Sequence, residues 1–378
     1  MKMSFDINKK HHDIITMAGL FLLGKVFVMA ALLTAAYVCG KSWIEIGKGS
    51  PYYVDGAHYI FLAKYGYGSS MISDNVPGQM LYAFFPLYPL LIYLLHFAAV
   101  PAEQGAFLIS NICGFLSLCY LVKITDRENR GWTALLFVFS VNAVFFTVAY
   151  TESLYMFLSV YAYYLYEYKK KRLSAGIAAG LSMAARNTGC FLIAAMLLDM
   201  VLKKRKFKEI MEIGAPAILI GGAYPVYNYF KTGDLFYFMK CQAFWNNGVS
   251  FPFKGLMDDM IRLWNGTGVD WITPLLVLVS FITAVYALVQ GIRRKQPGVL
   301  VLYLFFAAAA LACFYKNTGR ASHVSSVFRY IYGLFPLYVL LGNARDGKCK
   351  YVFWIYGLIA GYLTAVVYFC FEMDVFLA

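Results

Sequence analysis

The sequence predicts an all-α, multi-pass membrane protein, and three observations carry that prediction. Of 378 residues, 61% are hydrophobic and 14% charged, with a mean hydropathy of +0.62. Soluble domains average roughly 45–50% apolar and about 25% charged, so a water-soluble fold is excluded. Second, the apolar residues fall in runs close to the roughly 20 residues a helix needs to cross the hydrocarbon core. Third, the excess cations, 33 Lys and Arg against 20 Asp and Glu, cluster between those runs. In a soluble chain a net charge of +13 would suggest nucleic acid. Cations gathered in short loops instead mark the cytoplasmic side of a membrane protein, and no nucleic-acid partner is expected.

The first apolar stretch, 14–40, follows Lys2, Lys9 and Lys10. It is too long for a signal-peptide core and is read as a retained first span with a cytoplasmic N-terminus. Lys25 within it is predicted to face other helices or a cavity, since lipid would not solvate its charge. Further candidate spans are 84–100, 104–124, 132–150, 152–168, 173–202, 210–230, 272–291, 297–315, 328–342 and 351–371. Together they predict a single domain, 1–378, of about 10–12 transmembrane segments. Lys169 to Arg172, Lys203 to Lys206, Arg293 to Lys295 and Arg345 to Lys350 are the predicted cytoplasmic loops.

Two longer, aromatic-rich stretches, 41–83 and 231–271, then belong on the outer face. The middle admits two solutions. A single crossing by 173–202 puts its flanking basic clusters on opposite sides. A pair of half-helices meeting at Ala185 to Gly189 leaves both clusters cytoplasmic. Most cysteines (Cys113, Cys119, Cys190, Cys313 and Cys370 among them) sit inside apolar runs, without zinc-type spacing. They are read as free buried thiols, and no metal site is expected.

The residues that could carry chemistry are the charges that break the hydropathy pattern. In the first outer stretch, Gly56 to Gly66 reads as a short amphipathic helix at the interface, with Asp55 at its N-cap position. Asp55 caps this helix, or acts as a general base with His58 one turn along on the same face, and the two roles are compatible because a cap is held rigid. Pro86 and Pro89 flank Tyr88 at a span start. Glu152 interrupts two spans, Arg186 sits within an apolar pair, and Lys316 to Tyr330 carries Lys316, Arg320, His323 and Arg329. Ionisable residues at membrane depth are functional candidates, the plain alternative being an acid–Arg pair that only ties helices together. Cations on the outer face run against the positive-inside pattern, and an anionic ligand such as a lipid phosphate would account for them. The aromatic segment Gly233 to Trp245 either lies among lipid headgroups or lines a sugar or lipid groove. Tyr161, Tyr163, Tyr164, Tyr166 and Tyr168 read as an interfacial belt. Asn265-Gly266-Thr267 matches the glycosylation sequon and carries little weight.

Six motifs in order resemble the GPI mannosyltransferase 2 (PIG-V) family and its prokaryotic relatives, over about residues 50 to 340. They are Asp55 with His58-Tyr59 and Gly66-Tyr67; Ala83 to Pro89; Tyr150 to Leu154; Ala185 to Gly189; Thr232-Gly233-Asp234 to Trp245; and Phe328-Arg329-Tyr330 to Leu337. Val54 stands where that family usually has an aromatic residue before the loop aspartate. The resemblance implies a GT-C glycosyltransferase that moves a hexose, in that family mannose, from a polyprenyl-phosphate sugar to a lipid-linked or surface glycan. It implies inversion at the anomeric carbon, with Asp55 in the place of the family's loop aspartate.

Such a reaction needs a base for the acceptor hydroxyl and positive charge for the departing phosphate, and it requires no metal or cofactor. Arg186, Arg329 and His323 are the candidates for the phosphate. Tyr59, Tyr88, Glu152, Gln242, Trp245 and Tyr330, with His58, are expected to bind substrate. Membrane lipids are the remaining partners. The expected site is a bacterial plasma membrane with the active site outside, or an ER membrane in a eukaryote. The alternatives are a transporter or flippase of lipid-linked sugars, and a non-catalytic scaffold of a glycosylation complex.

Overall fold

The computed structural model describes residues 10–44, 55–73, 76–245, 247–249, 253–265, 272–293, 299–314, 316–318, 327–344 and 347–371. It is 82% helical. The helices are α1 Lys10–Val38, α2 Asp55–Tyr65, α3 Leu87–Phe97, α4 Ala102–Ile124, α5 Arg130–Val138, α6 Glu152–Glu167, α7 Arg172–Ala185, α8 Gly189–Leu202 and α9 Phe207–Thr232. They continue with α10 Lys254–Asn265, α11 Ile272–Arg293, α12 Val299–Phe314, α13 Val327–Ile331, α14 Phe335–Gly342 and α15 Gly347–Phe371. Strand pairing among the described residues is confined to two short ladders, Ile72–Ser73 with Val76–Pro77 and Asn247–Val249 with Lys316–Thr318.

Among the described residues four helices are long and apolar enough to cross a membrane: Ile14–Val38, Ala102–Ile124, Phe207–Thr232 and Lys348–Cys370. Four shorter apolar helices, Leu87–Phe97, Gly189–Leu202, Pro274–Gln290 and Leu300–Ala312, stand beside them. The outward faces carry large apolar side chains, including Leu22, Val26, Ile218, Leu219, Phe230, Ile359 and Leu363, each roughly half exposed or more. A soluble monomer does not present so much contiguous apolar surface, whereas acyl chains cover it at no cost. The chain is a helical membrane protein.

Three predicted spans are not continuous helices, and two of them, 132–150 and 328–342, break where no interruption was expected. The segment 132–150 is helical only to Val138, and 139–151 runs as a chain of tight turns buried inside the bundle. Carbonyls released from the helical ladder there are met by side chains of α1 and α4. Lys25 Nζ donates to Phe146 O at 2.9 Å, Asn111 Nδ2 to Thr147 O at 3.0 Å and Ser110 Oγ to Tyr150 O at 3.0 Å. Buried backbone groups need such partners. Lys25 faces inward as expected, with a second bond to Thr147 Oγ1 at 2.9 Å and Phe21 beneath it at 4.3 Å. The second unexpected interruption, in 328–342, falls at 332–334 between α13 and α14.

The break in 173–202 falls where the second of the two sequence solutions put it. Helix α7 ends at Ala185, Arg186 is extended, and α8 begins at Gly189. Each arm has 14 residues, about 21 Å of helix. At the open end of this hairpin Arg172 pairs with Glu209 at 2.5 Å, Lys203 pairs with Asp199 at 2.8 Å, and Tyr166 donates to Asp199. The basic clusters 169–172 and 203–206 therefore lie at one end of the bundle, and the Arg186 tip lies at the other.

Three polar stretches gather around the tip end. The 3-10 turn Gly78–Ala83 packs on the turns at 237–245, where Cys241 Sγ reaches Gln79 O at 3.6 Å and the Tyr82 and Tyr237 rings meet at 5.4 Å, and on α9, where Tyr224 OH donates to Tyr82 O at 2.7 Å. The ladder Asn247–Val249 with Lys316–Thr318 joins the 231–271 stretch to the segment that follows α12. The interfacial tyrosine belt is not fully realised. Tyr163 and Tyr166 are buried, Tyr163 against Phe335 and Tyr166 on Asp199, while Tyr168 reaches Ile124 O. Packing partners on neighbouring helices, invisible to periodicity, claim these hydroxyls and rings.

Helices α7 and α9 approach closely because glycines line the contact. A Cβ on Gly180 would sit 2.9 Å from Ala217 O and 2.9 Å from Ile220 Cβ, whereas one on Gly222 meets nothing within 4 Å. Small residues let helix backbones meet in a bilayer, and overfilling such a contact costs about 1–3 kcal/mol. Gly180→Leu is expected to lower the melting midpoint of the detergent-solubilised protein by several degrees. Gly222→Ala is expected to leave it unchanged.

Candidate active site

The charges singled out in the sequence converge at the tip end, brought there by four separate elements. Asp55 opens α2, Glu152 opens α6, Arg186 lies between α7 and α8, and Arg329 lies in α13. Arg329 stands between the two acids. Its Nη2 lies 2.5 Å from Asp55 Oδ2, and its Nε donates to Glu152 Oε1. Arg186 Nη1 reaches the same Glu152 oxygen at 2.5 Å. The result is a chain Asp55–Arg329–Glu152–Arg186, two acids alternating with two cations. Side-chain exposure is 2% for Glu152, 12% for Arg329, 16% for Arg186 and 22% for Asp55.

Each guanidinium has a second layer of support. Arg329 lies over the rings of Tyr150 at 4.8 Å, Phe145 at 5.2 Å and Tyr330 at 5.8 Å. Asn142 Nδ2 donates to the Arg329 carbonyl at 2.7 Å. Arg186 lies 5.3 Å from the Tyr330 ring and donates to Thr151 Oγ1 at 3.3 Å, and Thr151 also meets Tyr59 OH at 3.3 Å. Ring faces attract cations most where water is excluded. Phe145, Tyr150 and Thr151 all belong to the turn-rich 139–151 stretch or its end, so its failure to form a helix is what presents them to the arginines.

The carboxylates are not equivalent. Asp55 is the more open of the two and lies on α2, outside the apolar helices. Burial pushes its carboxyl upward, but the charge and hydrogen bond of Arg329, helped by His58 and Arg186, more than reverse this. Its pKa therefore lies below the usual carboxylate value. A group depressed in the folded state contributes stability above its unfolded pKa and loses it only as pH falls through the lower folded value. The Asp55–Arg329 pair accordingly survives mild acid. Glu152 Oε1 is shared by both arginines, while its buried Oε2 has no hydrogen-bond partner among the described residues.

A narrow cleft of about 10 Å3 lies against Glu152, Tyr155, Arg186, Thr188, Arg329, Tyr330, Gly333 and Leu334. Both cations and Glu152 thus border one space.

The structure brings Asp55, Tyr59, Glu152, Arg186, Arg329 and Tyr330 together as the sequence led one to expect. Both acid–Arg pairs weighed as helix ties are present as well. Helix α2 differs from expectation. Residues 58–63 are buried without interruption, so it is embedded in the bundle rather than lying amphipathically at an interface. The Asp55 carboxylate, in the first turn of the helix, meets Arg329. His58 is buried beside Phe84, ring centroids 5.1 Å apart.

Tyr88 lies one layer behind the site. Its ring meets Tyr59 at 5.2 Å, and its hydroxyl is engaged by Ser110 at 2.7 Å and Ala106 O at 2.8 Å. Gln242 lies in the turn Cys241–Trp245 beside Gly78–Ala83, away from the four-charge chain. Trp245 ends that same turn. His323, Arg320 and the Gly266-Thr267 part of the sequon lie outside the described residues. Thr151, Tyr150, Phe145 and Asn142 are the support that sequence reading did not assign. The available signal was an Arg-rich site beside an aromatic run ending in Tyr150-Thr151. Among the described residues no three His, Cys, Asp or Glu side chains converge.

In comparison with other proteins, the chain matches no protein-family model and no curated sequence.

Removing one member of a buried ion pair strands its partner, at a cost of about 3–5 kcal/mol. Glu152→Gln strands two. It is expected to lower the melting midpoint markedly, and Arg186→Gln added to it should cost much less than it does alone. A double-mutant cycle on melting midpoints checks this, and strict additivity would show that the residues do not interact.

Proposed function

We propose that this protein is an integral-membrane glycosyltransferase. It moves a hexose, mannose by the resemblance above, from a polyprenyl-phosphate sugar to a lipid-linked or surface glycan, with inversion. The observation that carries the reading is the meeting of the partly exposed Asp55 carboxylate with Arg329, which borders one narrow cleft together with Arg186, in a chain built for a bilayer. A phosphate monoester leaving group asks for fixed positive charge, and arginine supplies it in bidentate form. A polyprenyl chain suits the apolar faces of the surrounding helices. The GT-C architecture, the outward-facing site and the bacterial plasma membrane (or ER) setting belong to the same proposal.

In the reaction the acceptor hydroxyl oxygen forms the new bond to the anomeric carbon on the face opposite the phosphate. The bond from that carbon to the phosphate oxygen breaks as oxocarbenium character develops. The hydroxyl proton passes to Asp55, and the polyprenyl phosphate leaves carrying its negative charge to Arg186 and Arg329. In the empty site Arg329 holds Asp55 as an ion pair, which makes it a weak base. A bound phosphate competes for the same guanidinium, and when Arg329 turns toward it the Asp55 carboxylate becomes more basic. Donor binding thereby arms the base.

Purified protein with a labelled polyprenyl-phosphate mannose and a glycan acceptor tests the reading. Asp55→Asn is expected to lower kcat by roughly a hundred- to ten-thousand-fold, the usual contribution of a positioned base. Turnover near that of the wild type would remove Asp55 from the role. Transfer in detergent, where there are no two sides to cross, separates an enzyme from a transporter.

The pH profile is a second expectation. The acid limb of kcat/KM reports free enzyme, with Asp55 paired to Arg329, and the limb of kcat reports the donor complex. The kcat limb is expected at the higher pH. Coincident limbs would show that Arg329 stays on Asp55.

A further inference from the structure

Two cysteines at opposite ends of the sequence meet in the fold. Cys39 follows the last residue of α1 and Cys370 lies in the last turn of α15, with their sulfur atoms 3.3 Å apart. The two helices run parallel, since Thr34 Oγ1 and Ala30 O on α1 meet Tyr362 OH on α15 at 2.6 and 3.3 Å, one level below the cysteines. Ala31, Ala35, Ala36, Ala365 and Phe369 fill the seam around them. The beginnings of both helices are basic, at Lys10 and at Lys348 and Lys350, so the cysteines sit at the ends remote from those cations. Cations mark the cytoplasmic ends, and the opposite side of a plasma or ER membrane is where disulfides form and persist.

We propose that Cys39 and Cys370 form a disulfide that staples the first described helix to the last. The oxidant is a disulfide-bearing thiol, protein or small molecule. The partly buried Cys39, as thiolate, attacks one oxidant sulfur, forming a mixed disulfide and releasing the first thiolate. Cys370, on losing its proton, attacks the Cys39 sulfur, closing the new S–S bond and releasing the second. Two protein thiols are oxidised and one oxidant disulfide is reduced to two thiols. Closing from contact to a bond of about 2.04 Å needs little more than an ångström of movement.

The staple also bears on the four-charge site. Tyr368, two residues before Cys370, packs against Phe145 at 5.8 Å and Tyr150 at 5.9 Å, the rings on which Arg329 rests. Other described cysteines are placed differently: Cys241 Sγ reaches Gln79 O at 3.6 Å, and Cys113 lies buried in α4. The pairing does not depend on sugar transfer, and its test reads no activity.

The full-length protein is purified in mild detergent, reduced, freed of reductant and treated with oxidised glutathione. Thiols are then counted after denaturation with a maleimide mass tag. The count is expected to fall by two in the wild type and in Cys113→Ser, and not in Cys39→Ser or Cys370→Ala. A Cys39–Cys370 linked peptide should appear in the unreduced digest and vanish with dithiothreitol. Dithiothreitol should also lower the melting midpoint of the oxidised wild type by several degrees, and leave that of Cys39→Ser unmoved. An unchanged thiol count in the wild type would overturn the proposal, as would a loss of two thiols that persists in Cys39→Ser.

Discussion

Arg329 is the constraint on which the rest of the site depends. Its one planar group is shared between carboxylates from α2 and α6, and through Glu152 it is joined to Arg186 at the α7–α8 break. In a medium of low dielectric none of these charges is tolerable alone. Each therefore holds the others, and the elements that bear them, in one arrangement. Two acids balance two cations, so the cluster is close to neutral when empty. Either arginine can engage another anion only by loosening its hold on an acid, which is the electrostatic basis of the proposal that donor binding frees Asp55.

That arrangement rests in turn on a stretch of chain that declines to be a helix. Residues 139–151 present Phe145, Tyr150 and Thr151 to the arginines from a run of turns, and the backbone groups left over are taken by Lys25, Asn111 and Ser110. Lys25, the oddest residue of the first span, therefore serves as the hydrogen-bond partner of a broken segment. On the other side, Gly357 and Gly361 of α15 let that helix approach the same stretch, where a Cβ would stand 2.6 Å from Phe139 O or 2.5 Å from Ser140 O. Helices α1 and α15 consequently enclose the site's foundation, and a staple between them acts on it directly.

Much of this was legible beforehand, for a specific reason. Hydropathy is a local property, so the helical segments near 104–124, 152–168, 210–230, 272–291 and 351–371 stand out in one dimension. Charges inside apolar runs stand out equally, which is why Asp55, Glu152, Arg186 and Arg329 were all named. The misreadings share one cause. The span at 132–150, the amphipathic helix at 56–66 and the tyrosine belt at 161–168 were each inferred from pattern, and each was altered by neighbours from distant sequence. A buried tyrosine with a partner on another helix is indistinguishable in sequence from one at a membrane surface.

By itself, then, the sequence determined the solvent, the helical class, the order of the elements and the identity of the charges that do not belong in lipid. Those follow from the transfer cost of each residue, which needs no partner to be known. Only the tertiary structure decided who meets whom. Arg329 finds an acid 274 residues away, Lys25 finds a carbonyl 121 residues away, and the α7–α8 break becomes a hairpin with both basic clusters at one end. Pairing in a low-dielectric interior is a matter of angstroms between segments, and no one-dimensional pattern records that distance.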